Sequence, residues 1–433
     1  MQIFNLNQKN LPQILKSVRS LNTIDTNVLN IVRKIIEDVK INGDRAIIEY
    51  TKKFDDIALE PNKIRVTREE IIKSYDYVNE NELSAIKALI ENIKNIENET
   101  VKNLEFTIKL NDIIISQVIK PLESVGCYVP GGKASYPSTL IMTATPASIV
   151  NVRRIVVTSP PNKISPLFLV AADIIGVSEI YRIGGAQAIA ALAYGTESIK
   201  PVNKIVGPGN IYVTAAKLLV SNDVAIDMPA GPTELLIVAD DNANPTEIAL
   251  DLIAQAEHGV DSLCGLITTS TELAKNVVNE LSRLINSIDR KEIVDKALNE
   301  RGFIIITDDK TVLQEFVNQF APEHLEIIMK DGAEIAKSIN NAGVIIIGTS
   351  SVITDYYAGV NHVLPTNSYA KIRGGLTVLD YIKLIRLVSA SNNSLNKAIN
   401  VIKTLAYAEG LPNHFKSIEY RVDYSQSQEN HFG

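Results

Sequence analysis

Five histidines occur in the chain, His258, His324, His362, His414 and His431, and three of them lie near other groups able to bind a metal or move a proton. Gln255 and His258 stand three residues apart at the end of a helical pattern opened by Asn244-Pro245-Thr246-Glu247, with an N-cap, a first-turn proline and Glu at N3. That spacing puts both side chains on one helix face. An imidazole nitrogen suits zinc and an amide oxygen can complete such a site. On the pair alone, the favoured reading is a capping histidine and a solvent-facing glutamine. Glu323 and His324 are adjacent in Ala321-Pro322-Glu323-His324-Leu325, where Pro322 holds a turn before the apolar run 325–329. Neighbouring Glu and His on a turn can point to different parts of a cleft, and histidine titrates where proton transfer needs it. A surface Glu-His pair accounts for these two residues equally well. Asp355 follows the apolar run 344–348 in a Ser/Thr-rich loop. Open α/β sheets place ligands in loops beyond strand carboxyl ends, although most lone loop aspartates form turns. Glu409 and His414 flank the helix break Gly410-Leu411-Pro412-Asn413, which frees His414 to reach outward. By itself it reads as an exposed histidine.

The glycine-rich pieces are Gly131-Gly132, Gly184-Gly185 and Gly207-Pro208-Gly209-Asn210, and none forms G-x-G-x-x-G. The usual dinucleotide fingerprint is therefore absent. Gly184-Gly185 follows a strand-like run and precedes the helix-like 186–194, a geometry that presents backbone N–H groups to an anion. Without other evidence a tight turn is the simpler reading.

The elements that must position these residues fall into series. Apolar residues recur at helical spacing over 27–41, with Gly43 as the stop. Thr67 and Glu70 make a capping box before Ile71, and 83–96 reads as helix. Segments 106–110 and 113–119 around Asn111-Asp112 read as a hairpin. From Ser124, short apolar runs (125–129, 155–158, 180–183) alternate with Gly/Pro loops and Ala-rich helical segments, the texture of a covered parallel sheet. After the break Pro229-Ala230-Gly231-Pro232, a second α/β series has strands at Glu234–Ala239, Leu263–Thr268, 303–307, 325–329 and 344–348. Beyond about Gly375 the pattern is helical.

Length and composition narrow the setting. With 433 residues, 45% hydrophobic and 21% charged, the chain is long enough for two or more domains. Its net charge of −7 and lack of a Lys/Arg block argue against nucleic acid as a partner. No stretch approaches the ~20 apolar residues of a membrane span, and residues 1–16 lack a signal-peptide pattern. Cys127 and Cys264 cannot make a disulfide framework, so a reducing cytoplasm is the expected compartment.

Taken together, the motifs resemble the histidinol dehydrogenase family. The matching stretches are Val125-Gly126-Cys127-Tyr128-Val129-Pro130-Gly131-Gly132, Gly184-Gly185-Ala186-Gln187-Ala188-Ile189-Ala190, Gly207-Pro208-Gly209-Asn210 and Asp227-Met228-Pro229-Ala230-Gly231-Pro232-Thr233-Glu234. They continue in Gln255-Ala256-Glu257-His258-Gly259, Ala321-Pro322-Glu323-His324-Leu325 and Asn361-His362-Val363-Leu364-Pro365-Thr366. The match is dense from about Val125 to Thr366, looser before it, and returns at 409–414.

The resemblance implies an α/β fold: two incomplete Rossmann-like α/β domains with small helical N- and C-terminal domains. Its boundaries are 1–24 (N-terminal helical arm), 25–125 with 232–375 (metal and catalytic residues), 126–231 (NAD-binding) and 376–433 (C-terminal helical domain reaching a partner subunit). It implies zinc (Zn2+) held by Gln255, His258, Asp355 and His414, the last from the partner subunit of a homodimer. NAD contacts fall on Tyr128, Gln187 and Asn210. Thr233, Gln255, His258, His324, Asp355, Glu409 and His414 bind the substrate, L-histidinol. Glu323 and His324 are the expected catalytic pair, with His324 as base in both hydride transfers and Glu323 activating water between them. Thr233 stands where many members have Ser, and Cys127 replaces a more usual apolar residue. Residues 369–375 match the family poorly, His362 reads as structural, and His431 as a tail residue. The competing readings are a zinc hydrolase with an open metal site, a non-catalytic metabolite-binding dimer, and an aldehyde dehydrogenase using Cys127, which leaves zinc without a role.

Overall fold

Glu234–Ala239 and Leu263–Thr268 are apolar at nearly every position rather than at alternate ones, which calls for strands covered on both faces, and every residue of both is buried. The computed structural model describes residues 1–19, 24–131 and 135–429; Gly132 and His431 lie outside them. Its strands are β1 (Gln2–Asn5), β2 (Phe106–Leu110), β3 (Ile113–Pro121), β4 (Ser124–Tyr128), β5 (Arg154–Ser159), β6 (Glu179–Arg182), β7 (Lys204–Val206), β8 (Ala225–Ile226), β9 (Glu234–Ala239), β10 (Leu263–Thr268), β11 (Phe303–Ile306), β12 (His324–Ile328), β13 (Val344–Ile347) and β14 (Ile382–Ala390).

Three sheets result. One is parallel with order β1-β11-β10-β9-β12-β13, and another is parallel with order β6-β5-β4-β7-β8. Leaving β1 aside, both follow one plan: the first strand is central, two strands step outward on one side, and the chain crosses to the other side for the last two. This is the doubly wound order with its switch point beside the first strand, so the two Rossmann-like halves expected from the sequence are present. The third sheet, β14-β3-β2, is antiparallel.

The chain forms two compact units, one of residues 1–97 and 122–381, the other of 98–121 and 382–433. The first holds both parallel sheets. The second holds the antiparallel sheet and the helices Asn392–Ala408 and Pro412–Glu429. In it, Asn111 and Asp112 take positive φ (49° and 66°) at the β2–β3 turn, the conformation that matches strand twist in a two-residue hairpin loop.

Several elements depart from the sequence reading. The N-terminal arm is not wholly helical: Gln2–Asn5 pairs in parallel with β11 before the helix Leu11–Val18. Beyond Gly375, β14 precedes the C-terminal helices; its apolar residues also fit a helical period, and only pairing with β3 decides for strand. Gly43 breaks a helix rather than ending it. The helix Thr26–Asp55 continues across Gly43, where φ is +50° and ψ is −127°. A Cβ there would lie 2.1 Å from Glu197 Oε2, which accepts the Asp44 N–H at 2.7 Å. Finally, the sequence reading groups residues 25–125 with 232–375, yet Val32, Ile35, Ile36, Val39 and Ile47 of that stretch pack with Ile189, Ala190, Val213 and Ala216 beside the five-stranded sheet. Among the described residues no helix is long and apolar enough to cross a membrane.

Candidate active site

The parallel pairing of β9 with β12 sets His324, the first residue of β12, opposite Leu235, the second of β9, so the two neighbouring strands begin side by side at their amino ends. Glu323 Oε2 accepts two hydrogen bonds of 2.7 Å, from the Thr233 hydroxyl and from the Glu234 N–H. His324 Nδ1 lies 3.2 Å from the Glu234 carbonyl and 3.6 Å from Glu323 Oε2. Glu234 thus holds both members of the pair through its backbone. The opposite ring nitrogen, Nε2, is buried with no hydrogen-bond partner among the described residues and lies 4.0 Å from Asp355 Oδ1. Burial lowers the affinity of the imidazole for a proton. The neighbouring Glu323 carboxylate, then Asp355 and the Glu234 carbonyl, outweigh that, and the pKa is pushed up to about 9.

These groups floor a cleft of about 240 Å³ that is also lined by Thr233, Gln255, His258, Asp355 and His362. The helix Pro245–Ala256 ends earlier than the sequence pattern implies, so His258 sits beyond it, in the following turn. Gln255 is buried and its Nε2 donates to the Thr233 hydroxyl, which leaves the amide oxygen to offer elsewhere. Asp355 was expected beyond strand carboxyl ends. It lies instead on the short helix Val352–Tyr356 and reaches the amino end of β12, near His324. His362, read from sequence as structural, lines the cleft as well. Its Nδ1 is 3.3 Å from the Asp355 carbonyl and 3.7 Å from Asp355 Oδ1, and its Nε2 is 3.3 Å from the Thr139 hydroxyl.

An imidazole, an amide oxygen and a carboxylate suit a borderline divalent ion such as zinc, and this cleft gathers all three from Gln255, His258 and Asp355. It does so incompletely, since no group of three or more His, Cys, Asp or Glu placed to hold a metal occurs among the described residues. Glu409 and His414 belong to the other compact unit. There Glu409 caps the helix Asn392–Ala408, Gly410 takes φ +71°, and His414 opens the next helix with its side chain exposed.

A second cleft, of about 760 Å³, lies at the carboxyl ends of β4, β6 and β7 and shares Pro130 with the first. Tyr128, Gln187 and Asn210 all line it. The Tyr128 hydroxyl accepts the Gly185 N–H at 3.1 Å at the start of the helix Gly185–Tyr194. Asn210 Oδ1 caps the helix Ile211–Val220, accepting from Tyr212 N and Val213 N. Two helix N-termini, favourable to phosphate, therefore face one cleft. Gln187 Oε1 and Asp55 Oδ2 are buried there without hydrogen-bond partners among the described residues. Unsatisfied acceptors beside anion-favouring helix ends fit a dinucleotide, which brings hydroxyl donors and phosphates together.

Cys127 is wholly buried, its thiol 3.5 Å from the Thr143 carbonyl, and burial pushes its pKa up to about 12. A thiol so protonated is a poor nucleophile. The sequence reading passed over Glu234, Asp55 and Thr139. Only for Glu234 was there a local signal, a carboxylate opening an otherwise apolar strand.

Two doubly wound sheets, one with a buried carboxylate–imidazole pair at its cleft and the other with paired helix N-termini at a second cleft, give the chain the architecture of an α/β enzyme. A family model described as histidinol dehydrogenase matches residues 19–422. The chain is 43% identical over 427 residues to histidinol dehydrogenase of Methanococcus maripaludis, covering 98% of this chain and 99% of that one. It is 44% identical to histidinol dehydrogenase of Bacillus subtilis, over 90% of this chain and 92% of the relative. The crystal structure of histidinol dehydrogenase from Elizabethkingia anophelis superposes with a TM-score of 0.93 at 34% identity, over 98% and 99% of the two chains. The chain belongs to the histidinol dehydrogenase family, and is thereby an oxidoreductase.

Proposed function

We propose that this chain oxidises L-histidinol through L-histidinaldehyde to L-histidine, the last steps of histidine biosynthesis, with reduction of two NAD⁺ and with zinc at the first cleft. The observation that carries the reading is the Glu323–His324 pair, fixed by the Glu234 backbone beside Gln255, His258 and Asp355. The names of the relatives support the substrate.

Zinc, held by Gln255, His258, Asp355 and the partner subunit's His414, would orient the substrate's amine and imidazole nitrogens. NAD⁺, in the second cleft with Tyr128, Gln187 and Asn210, would accept hydride. The remaining work falls to the chain. With Nδ1–H donated to the Glu234 carbonyl, the neutral His324 tautomer has its lone pair on Nε2, the atom left without a partner. Nε2 takes the hydroxyl proton as hydride leaves the carbinol carbon. Glu323, with one oxygen anchored by Thr233 and Glu234, takes a proton from water as it adds to the aldehyde carbon. His324, having released its first proton to solvent, then takes a proton from the resulting gem-diol as the second hydride leaves, giving the carboxylate. Thr233 and Glu409 are assigned to substrate binding. We assign the homodimer contact to the second unit, where Leu384, Ile385, Leu387 and Val388 of β14 are exposed. Two free buried thiols and an NAD-linked reaction favour the cytoplasm as its setting.

The test is the yield of NADH per L-histidinol consumed, with and without a chelator. Two NADH per histidine formed, lost on chelation and restored by zinc, is the expected result. One NADH with free aldehyde, or hydrolysis of a test amide without NADH, would overturn the reading.

A further inference from the structure

Behind the Glu323–His324 pair lies a buried ion pair that the mechanism above does not use. Arg19 closes the helix Leu11–Val18, and its guanidinium pairs with the Glu234 carboxylate; both side chains are nearly inaccessible, at 8% and 2% exposure. The same guanidinium donates to the Phe320 carbonyl, from Nε at 3.1 Å and also from Nη2, and to the Ala321 carbonyl at 3.0 Å, and it stacks 4.1 Å above the Phe320 ring. Phe320 and Ala321 are the last turn and left-handed cap (φ +50°) of the helix Lys310–Phe320. One proline separates them from Glu323-His324. Glu234, the other end of the pair, gives its N–H to Glu323 and its carbonyl to His324. Its Oε1 also accepts the Asn367 N–H at 2.8 Å.

Arg19 therefore grips both segments that deliver the pair: the start of β9 and the turn entering β12. A planar five-donor group is suited to holding a carboxylate and two carbonyls at once, which a lysine ammonium cannot reproduce. We propose that Arg19 is a positioning residue for the oxidation, acting through Glu234 to fix where the anchored oxygen of Glu323 and Nδ1 of His324 lie. This rests on the proposed reaction. The sharper effect falls on the aldehyde step, because there Glu323 must meet a free water, whereas the alcohol proton is carried by the substrate itself.

The experiment uses the zinc-loaded full chain with Arg19→Lys, Glu234→Gln and the double variant. For each, kcat and KM are measured separately on L-histidinol and L-histidinaldehyde, along with zinc content and thermal midpoint. Arg19→Lys should lower kcat on the aldehyde about tenfold to a hundredfold, the scale of a displacement near 1 Å. KM and zinc content should stay level, and the alcohol step should fall less. Glu234→Gln should act the same way, and the double variant should be no worse than the poorer single one, as for residues acting through one contact. A lowered midpoint with kcat unchanged in folded protein, or multiplying effects in the double variant, overturns the proposal and leaves Arg19 a brace. Should Arg19→Lys fail to fold, the kcat split of Glu234→Gln decides. Wild-type protein that makes no NADH from L-histidinol would sink the underlying reaction instead.

Discussion

The two clefts occupy opposite ends of sheets built to the same strand order. The larger lies where doubly wound folds ordinarily bind ligands, beyond the carboxyl ends of β4, β6 and β7. It is walled by large side chains such as Ile31, Ile35, Phe54 and Tyr212, and its polar floor is two helix N-termini, with a tyrosine hydroxyl that pins Gly185 in place. The smaller lies at the amino ends of β9 and β12 and is made of side chains held by one another and by backbone: Gln255 on Thr233, Thr233 on Glu323, His324 on the Glu234 carbonyl. Topology thus locates a binding surface without locating the chemistry. An amino-end cleft is not faced by the helix N-termini that follow the strands, so here a buried polar network holds the reactive groups. All three residues expected at the cofactor line the larger cleft, whereas the smaller gathers only three of its four expected metal donors.

That last contrast gives the largest expected effect. His258→Asn and His414→Asn chains should each be inactive, and subunit exchange should give each heterodimer about half the activity of the intact dimer (about a quarter for an equal, randomly exchanged mixture), since one site in a heterodimer keeps all four ligands. Persistent inactivity in verified heterodimers would mean that the first cleft is completed within its own chain. Next comes the base. His324→Asn should lower turnover by about 10²–10⁴, as for loss of a general base, with zinc content near normal. Zinc lost together with activity would make His324 a ligand and erase the division of roles within the cleft.

A glycine probes the other cleft. Gly185 has φ +65°, and a Cβ would lie 2.7 Å from Gln187 Oε1. Gly185→Ala should weaken NADH binding about tenfold, matching ~1–2 kcal/mol of left-handed strain, read by the fluorescence of bound NADH. The metal content of the first cleft should be untouched. Unchanged affinity would remove the cofactor from this cleft. The smallest effect lies outside both clefts. Burial raises Glu97 from its ordinary 4.5 to about 6, with the Val378 N–H at 3.0 Å pulling the other way. A carboxyl raised on folding contributes stability that is full below its unfolded pKa and is lost as pH rises through the folded one. Between pH 4.5 and 6 the chain should therefore lose on the order of 1 kcal/mol, visible as a falling thermal midpoint that Glu97→Gln abolishes, with turnover at pH 8 unaffected.

Residues that announce themselves by type were legible. Gln255, His258, Glu323, His324 and Asp355 do line one cleft, and Tyr128, Gln187 and Asn210 line the other. Strands covered on both faces were legible too, because a run such as Leu235-Leu236-Ile237-Val238 has no other economical use. What escaped depends on partners remote in sequence. Arg19 meets Glu234 across 215 residues, and Thr139 meets His362 across 223. Neither contact leaves a local pattern. Asp355 was placed by a rule about carboxyl ends that the first cleft does not obey. Strand β14 falls in the stretch beyond Gly375 that reads as helical; Ile382, Ile385 and Val388 repeat every three residues, and its pairing partner lies far upstream.

The antiparallel sheet carries a consequence for synthesis. Ile113–Pro121 finds its partner in Ile382–Ala390, no nearer than 261 residues downstream. At about 5–20 residues per second, the β2–β3 hairpin leaves the ribosome roughly 13–50 s before β14 exists. Meanwhile an unpaired strand edge with Ile113, Ile114 and Ile115 stands open, the kind of template on which nascent chains mispair. The second unit is thus the last to close although its first strands are made early. A truncation anywhere before residue 382 leaves that hairpin permanently without its mate, a defect that a chaperone would meet on the nascent chain before any assay of the finished enzyme could register it.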